Sequence, residues 1–250
     1  MSIKKLLICP YFGAFPEWMD LWIADFMRTM KPQGYDLLID TDLPAFKERV
    51  KLKLGIECPI VRGSGKVWDY RCALGFLYEE ELQGYNYWGH VDFDVVWGDV
   101  GKFLPDEHLR QVDIYSGHDE YMCGCFSLYR NSHNVRTLFT SYPLWKDKMT
   151  SPEPNGWVEQ EFSRLIENSK TPHSYNFHQG NPWTDKPILK KEGNSLFQTE
   201  ESLKGKWIEI MFFHFRRSKR WPLGPLPKNI WGNEIVDTSY LYKNAGPRDI

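Results

Sequence analysis

Residues 88–100, WGHVDFDVVWGDV, place two carboxylates, Asp92 and Asp94, two positions apart inside an apolar, β-branched and aromatic run. Such a run reads as a buried strand over residues 87–96, and in a strand positions i and i+2 project to the same side. Asp is depleted in strands, and two adjacent carboxylates in an apolar setting repel each other and lose hydration. A cation beside them offsets both costs. A hard divalent metal taking oxygen ligands is the economical choice.

The chain ahead of the pair alternates strand and helix. Residues 3–9 read as a first strand, ended by Pro10 and Gly13. Residues 16–30 carry Pro16 and Glu17 at a helix start, with Trp18, Leu21, Trp22, Phe26 and Met30 at helical spacing. Residues 35–39 give a second strand, residues 43–54 a helix and residues 56–62 a further strand. Gly63, Ser64, Gly65 and Lys66 lack the full phosphate-loop pattern and read as a turn before a helix that runs to Leu82. Strand–helix–strand order predicts a mainly parallel sheet covered by helices, with ligands bound beyond the carboxyl ends of the strands.

Past residue 105 the segments become shorter and more aromatic. Residues 112–117 and 123–131 read as strands, 133–142 and 158–169 as helices, and 143–157 as loop. Residues 171–205 are polar and rich in turn residues, residues 208–217 form a late strand, and the tail from Pro222 reads as an extended wrap. We therefore expect one domain over residues 1–250. A nucleotide-side half would run to about residue 104, followed by an irregular, aromatic-rich acceptor half.

Composition narrows the partners. A net charge of -2 with no block of like charges gives no nucleic-acid footprint. The 11 Trp, 13 Tyr and 15 Phe suit a protein that presents flat rings to sugars or bases, although core packing accounts for many of them. Cys9, Cys58, Cys72, Cys123 and Cys125 lack zinc spacing, and Cys123 and Cys125 read as small buried hydrophobes. The expectation is a reducing, cytoplasmic setting. The basic opening MSIKKLLIC has too short an apolar run for a secretory signal, and no stretch reaches membrane-spanning length.

Six segments, taken in order, carry a resemblance: PYFGAFPEW (10–18), LLIDTD (37–42), KVWDYRCALG (66–75), WGHVDFDVVWGDV (88–100), CGCFSLYRN (123–131) and FFHFRRSK (212–219). Together they resemble GT-A-type glycosyltransferases with an Asp-x-Asp motif. More narrowly, they resemble small bacterial proteins of capsule, O-antigen or other cell-surface polysaccharide synthesis. The resemblance implies a GT-A-like, Rossmann-like α/β fold and a metal-dependent transfer from a nucleotide sugar, a UDP-sugar being favoured, to a hydroxyl of a glycan or lipid-linked glycan.

On that resemblance Asp92 and Asp94 hold Mn²⁺ or Mg²⁺ with His214 as third ligand, and Lys219 binds the diphosphate. Lys66, Asp69 and Arg71, clustered before the metal strand, contact the nucleotide or donor sugar. Tyr11 and Phe12 stack on the base and Asp42 bonds base or ribose. Gly124, Arg130 and Asn131 face the donor sugar, with His118 and Asp119 lining the same cleft. Glu159, Gln160 and Glu161 open a helix at the catalytic position. A Glu there that deprotonates the acceptor inverts stereochemistry, whereas Gln160 backing the sugar favours retention; both stay open.

Two rivals share these residues: a metal-dependent nucleotidyl- or phosphotransferase, and a non-catalytic carbohydrate-binding protein. The basic, aromatic segment 212–221 is also compatible with peripheral contact at the inner face of a membrane.

Overall fold

The computed structural model describes residues 2–16, 18–175, 179–180, 188–199, 206–214 and 242–243. The first elements are β1 (Lys5–Pro10), α1 (Met19–Thr29), β2 (Tyr35–Asp40) and α2 (Leu43–Leu54), the expected strand–helix alternation. Local chemistry sets their ends. The Asp42 carboxylate accepts the Ala45 N–H at 3.0 Å to cap α2, Pro44 sits in its first turn, and Gly55 closes it at φ 66°.

Next come α3 (Leu74–Leu77), β3 (Tyr87–Val91), β4 (Val95–Trp97), α4 (Val100–Phe103) and α5 (Asp106–Gln111). They are followed by β5 (Ile114–Ser116), β6 (Phe126–Arg130), α6 (His133–Thr137), α7 (Trp145–Thr150) and α8 (Glu161–Asn168). The described chain finishes with β7 (His173–Tyr175), β8 (Ile188–Glu192), β9 (Ser195–Thr199), β10 (Ile208–Ile210), β11 (Phe212–His214) and β12 (Tyr242–Lys243).

The fold is mixed α/β around a central sheet of order β12-β2-β1-β3-β6-β5-β7. Strands β12, β2, β1 and β3 run parallel, β6 is antiparallel to both neighbours, and β7 is parallel to β5. Alternation along β1 sends Leu6 and Ile8 to one face and Leu7 and Cys9 to the other. On the first face they meet Phe46 of α2 and Leu74 of α3; on the second they meet Trp22 and Phe26 of α1. Helices therefore cover both faces, as a mainly parallel sheet requires. Two smaller sheets stand beside it, β10-β9-β8 and β11-β4. No helix among the described residues is long and apolar enough to cross a membrane.

Several boundaries differ from expectation. Residues 56–62 form no strand: Ile56, Cys58 and Ile60 alternate inward as in one, but Pro59 lacks a ladder N–H and no strand among the described residues pairs with them. The helix expected to reach Leu82 is a 3₁₀ run, Gly65–Ala73, followed by the single turn of α3. Residues 143–157 contain α7, and the turn-rich stretch after 171 contains the β8–β9 hairpin. The late strand is two strands, β10 and β11, parted at Met211.

Candidate metal centre and ligand cleft

The aspartate pair does not lie within a strand. β3 stops at Val91; the Asp92 N–H still donates to the Cys125 carbonyl at 3.2 Å, and Phe93 and Asp94 then turn the chain into β4. The turn corrects the expected continuous strand, and its physical reason is the one that made the motif conspicuous: carboxylates are poor strand residues, and a turn frees them from the sheet face. Trp18 fixes the turn, its indole N–H donating to the Phe93 carbonyl at 3.2 Å, while the Phe93 ring packs edge-on against Trp22.

β4 pairs antiparallel with β11, with Val95 opposite His214, and this register delivers the imidazole to the turn. Nε2 of His214 lies 3.2 Å from Asp94 Oδ2 and 4.0 Å from Asp92 Oδ2. One ligand atom from each of Asp92, Asp94 and His214 lies within 4.8 Å of the other two. Burial works to lower the His214 pKa, but the Asp94 and Asp92 carboxylates outweigh it and raise the pKa above its usual value.

Arg71 reaches this centre from the 3₁₀ run and pairs with Asp92. Its burial disfavours the charge, yet the carboxylates of Asp92 and Glu159 raise its pKa. Glu159 and Arg71 both rest against Gly124, where a side chain would collide with Glu159 Oε1 and meet Arg71 Nη1 at 2.6 Å. A methyl there would make one or both of these flexible ends move. His90, two residues before Asp92, is buried; its Nε2 hydrogen-bonds the Cys123 carbonyl at 2.9 Å, and its Nδ1 has no hydrogen-bond partner among the described residues. Burial, reinforced by Arg71, holds the His90 pKa down at about 3, so the ring is neutral.

Beside the carboxylates opens a cleft of about 360 Å³. The ends of β1 and β3 form its base, through Cys9, Pro10, Val91 and Asp92. The sheet order makes this the switch point, because the chain leaves β1 towards β2 on one side and returns to β3 on the other. One wall is aromatic: Tyr11 stands 5.0 Å from Phe93 and stacks at 5.4 Å on Phe15. At the mouth Trp68 is 52% exposed, with the Arg71 guanidinium 5.8 Å from its ring. Among the described lining residues Arg71 supplies the permanent positive charge, against the acidic Asp92 and Asp94.

Comparison with known proteins adds one identification. Residues 37–220 match a family described as a family of unknown function, DUF6625. The chain belongs to DUF6625. No curated protein matches it. The family span takes in the DUF6625 chain's Asp92, Asp94, Glu159 and His214, and leaves Tyr11 and Trp18 outside it.

Of the residues singled out from sequence, this DUF6625 structure brings together Asp92, Asp94, His214, Arg71, Gly124 and Glu159 at the centre, with Tyr11 and Phe12 along the cleft. Phe12 also packs on Phe46 in the core. Others are engaged elsewhere. Lys66 is fully buried: its ammonium donates to the Asp69 carboxylate at 2.8 Å and to the Lys148 and Glu153 carbonyls. Asp69 in turn accepts the N–H groups of Asn155 and Gly156 at 3.1 and 3.0 Å. The two residues clasp the loop that presents Glu159 and do not face the cleft.

Asp42 caps α2. Arg130 pairs with Asp113 and donates to the Val112 carbonyl, and Asn131 donates to the Leu82 and Tyr85 carbonyls. The antiparallel register explains their distance from Gly124: Arg130 lies opposite Tyr87, at the end of β3 remote from Asp92. His118 contacts Asp119 at 3.1 Å and stacks on Tyr121, outside the cleft lining. Gln160 precedes α8, and Glu161 pairs with Lys148 at 2.5 Å. Lys219 and the rest of the expected membrane-contact segment past His214 lie outside the described residues.

Trp18, Trp68, His90 and Phe93 line the cleft and were not singled out as site residues. His90 had a readable signal, since it shares strand parity with Asp92.

Proposed function

We propose that this protein is a metal-dependent glycosyltransferase of GT-A-like architecture, moving a sugar from a nucleotide diphosphate to a hydroxyl of a surface glycan or its lipid-linked precursor. The observation that carries the reading is the convergence of Asp92, Asp94 and His214 at the switch point of the sheet, beside a cleft with one aromatic wall. Two carboxylates and an imidazole form a donor set suited to Mn²⁺ or Mg²⁺. Charge supports the same reading: Asp92 and Asp94 oppose the single guanidinium of Arg71, so a diphosphate would be repelled from this cleft unless a cation came with it.

When bound, the divalent ion would supply charge neutralisation for the departing diphosphate. The chain's own groups do the remaining work. Arg71 keeps a permanent positive charge beside Asp92 and stabilises the leaving phosphate oxygens. The aromatic wall at Tyr11 and Trp68 gives a flat ring a stacking surface. Glu159, held against Arg71 and Gly124, is the carboxylate placed to receive a proton from the acceptor hydroxyl. The clasp of Lys66 and Asp69 keeps its loop in position.

The test is incubation of the purified protein with Mn²⁺ and a panel of nucleotide sugars, following nucleoside diphosphate release. Release of the diphosphate that disappears in Asp92→Ala supports transfer of a sugar. Pyrophosphate release would instead identify a nucleotidyltransferase, and binding without any turnover would identify a carbohydrate- or nucleotide-binding protein.

A further inference from the structure

Beside the metal centre lies a pair of thiols that the reaction above does not use. Cys123 and Cys125 are free and 4% and 2% exposed, and their sulfurs stand 3.0 Å apart, close enough to share an S–H···S contact. In an extended run, side chains two residues apart start about 6–7 Å from each other, at two rises of about 3.3 Å. A bend at Gly124 and Cys125 brings these two together. Among the described residues no other two cysteine sulfurs make such a contact.

The backbone around the pair is held by the site itself. The Cys123 carbonyl accepts from His90 Nε2 and from the Ser127 hydroxyl, both at 2.9 Å, and its N–H donates to Ser116 Oγ at 2.8 Å. The Cys125 carbonyl accepts the Asp92 N–H at 3.2 Å. Gly124 sits between them, and the charged ends of Glu159 and Arg71 occupy the space that a Cβ on it would fill.

We propose that Cys123 and Cys125 form a dithiol modification site for a small two-electron oxidant of the peroxide class, and that its closure to a disulfide displaces Glu159 and Arg71. One sulfur attacks a peroxide oxygen, the O–O bond breaks, and a sulfenic acid and one water result. The second sulfur attacks the sulfenic sulfur; the S–O bond breaks, the S–S bond forms and a second water leaves. Two electrons pass from the sulfurs to the peroxide, and no further reactant is needed.

Closure takes the sulfurs from 3.0 Å to about 2.05 Å. With both flanking peptide groups tied to strands, the bend at Gly124 absorbs the change, and the two side chains lying on it shift. Burial of both sulfurs excludes bulky disulfides, and local opening lets in only an oxidant of about the size of water.

The test uses the full chain under native conditions and needs no glycosyl transfer, so its failure is separate from failure of the proposed function. The reduced protein is treated with hydrogen peroxide, denatured, alkylated with N-ethylmaleimide and peptide-mapped. The expected result is loss of two of the five thiols, with a peptide spanning residues 123–125 lighter by two hydrogens and restored by dithiothreitol. Glutathione disulfide should leave all five reactive, and Cys125→Ser should stop at the Cys123 sulfenic acid. Hydrogen exchange at residues 157–162 should quicken on oxidation of the native chain. Five reactive thiols after peroxide, a disulfide to another cysteine, equal oxidation by glutathione disulfide, or unchanged exchange at 157–162 would each overturn the proposal.

Discussion

His214 stands opposite Val95 in the β4–β11 ribbon, and that register sets its Nε2 3.2 Å from Oδ2 of Asp94. The two residues are far apart in the chain, so the centre exists only once the small ribbon has paired. Slipping a strand by one residue turns every side chain to the other face. The ribbon is therefore as much a part of the site as the ligands.

Gly124→Ala should damage the site more than the fold. The added methyl meets Glu159 and Arg71, whose charged ends have to move. A stability loss of about 1–3 kcal/mol is expected by thermal unfolding, together with a fall of about tenfold or more in affinity for nucleotide with Mn²⁺. Wild-type affinity in this variant would dissociate Gly124 from the ligand cleft.

Trp68→Ala separates binding from stability more fully. The ring is half exposed at the cleft mouth and covers Gly65. Its loss should leave the melting temperature within about 2 °C while weakening nucleotide or sugar affinity by about 1–2 kcal/mol in calorimetry.

Asp25 and Lys191 tie the β8–β9 hairpin to α1. Asp25 is fully buried, pairs with Lys191 and with Arg28 at 2.6 Å, and accepts weakly from the Trp97 N–H. Burial raises the Asp25 pKa and lowers that of Lys191, both in the direction that disfavours the charges. Removing one partner strands the other. Asp25→Ala is expected to cost about 3–5 kcal/mol, and Asp25→Leu combined with Lys191→Met to cost clearly less, as read from urea unfolding.

Asp106 supplies a pH-dependent contribution. It accepts from the Ile3 N–H and from the Lys5 ammonium, each at 2.8 Å. Burial works to raise its pKa, but these partners outweigh it and hold the pKa below the usual 3.8. The unfolded chain therefore takes up the proton first on acidification. The stabilisation is present above about pH 4 and is lost as pH falls through the lower, folded value. Asp106→Asn should destabilise by about 1–3 kcal/mol at pH 7, and the gap from wild type should close in unfolding curves taken below pH 3.8.

The sheet and the aspartate pair were legible because both follow from local rules. Strand–helix alternation placed β1, α1, β2 and α2, and the helix expected over residues 43–54 matches α2 to the residue, although its cap at Asp42 was read as a nucleotide contact. The Asp-x-Asp signal pointed to residues that do meet His214, but it was read wrongly as continuous strand; the same aversion of Asp for strands predicts the break. Lys66 and Asp69 looked like contacts to the nucleotide or donor sugar because sequence shows charge without burial, and only the packed loop at 153–157 reveals that they answer each other. Arg130 and Asn131 were misjudged because an antiparallel register sends the end of β6 away from its start. Nothing local marked Trp68, an exposed ring that acquires its place from the 3₁₀ run.

The most direct measurement is titration of Mn²⁺ into the apo-protein, followed by electron paramagnetic resonance of the free ion. The expected result is saturable binding of one Mn²⁺ per chain, weakened by about tenfold or more in both Asp94→Asn and His214→Ala. Those variants should keep the wild-type circular dichroism spectrum. Absence of saturable binding, or unchanged affinity in both folded variants, would contradict the assignment of Asp92, Asp94 and His214 as a metal centre.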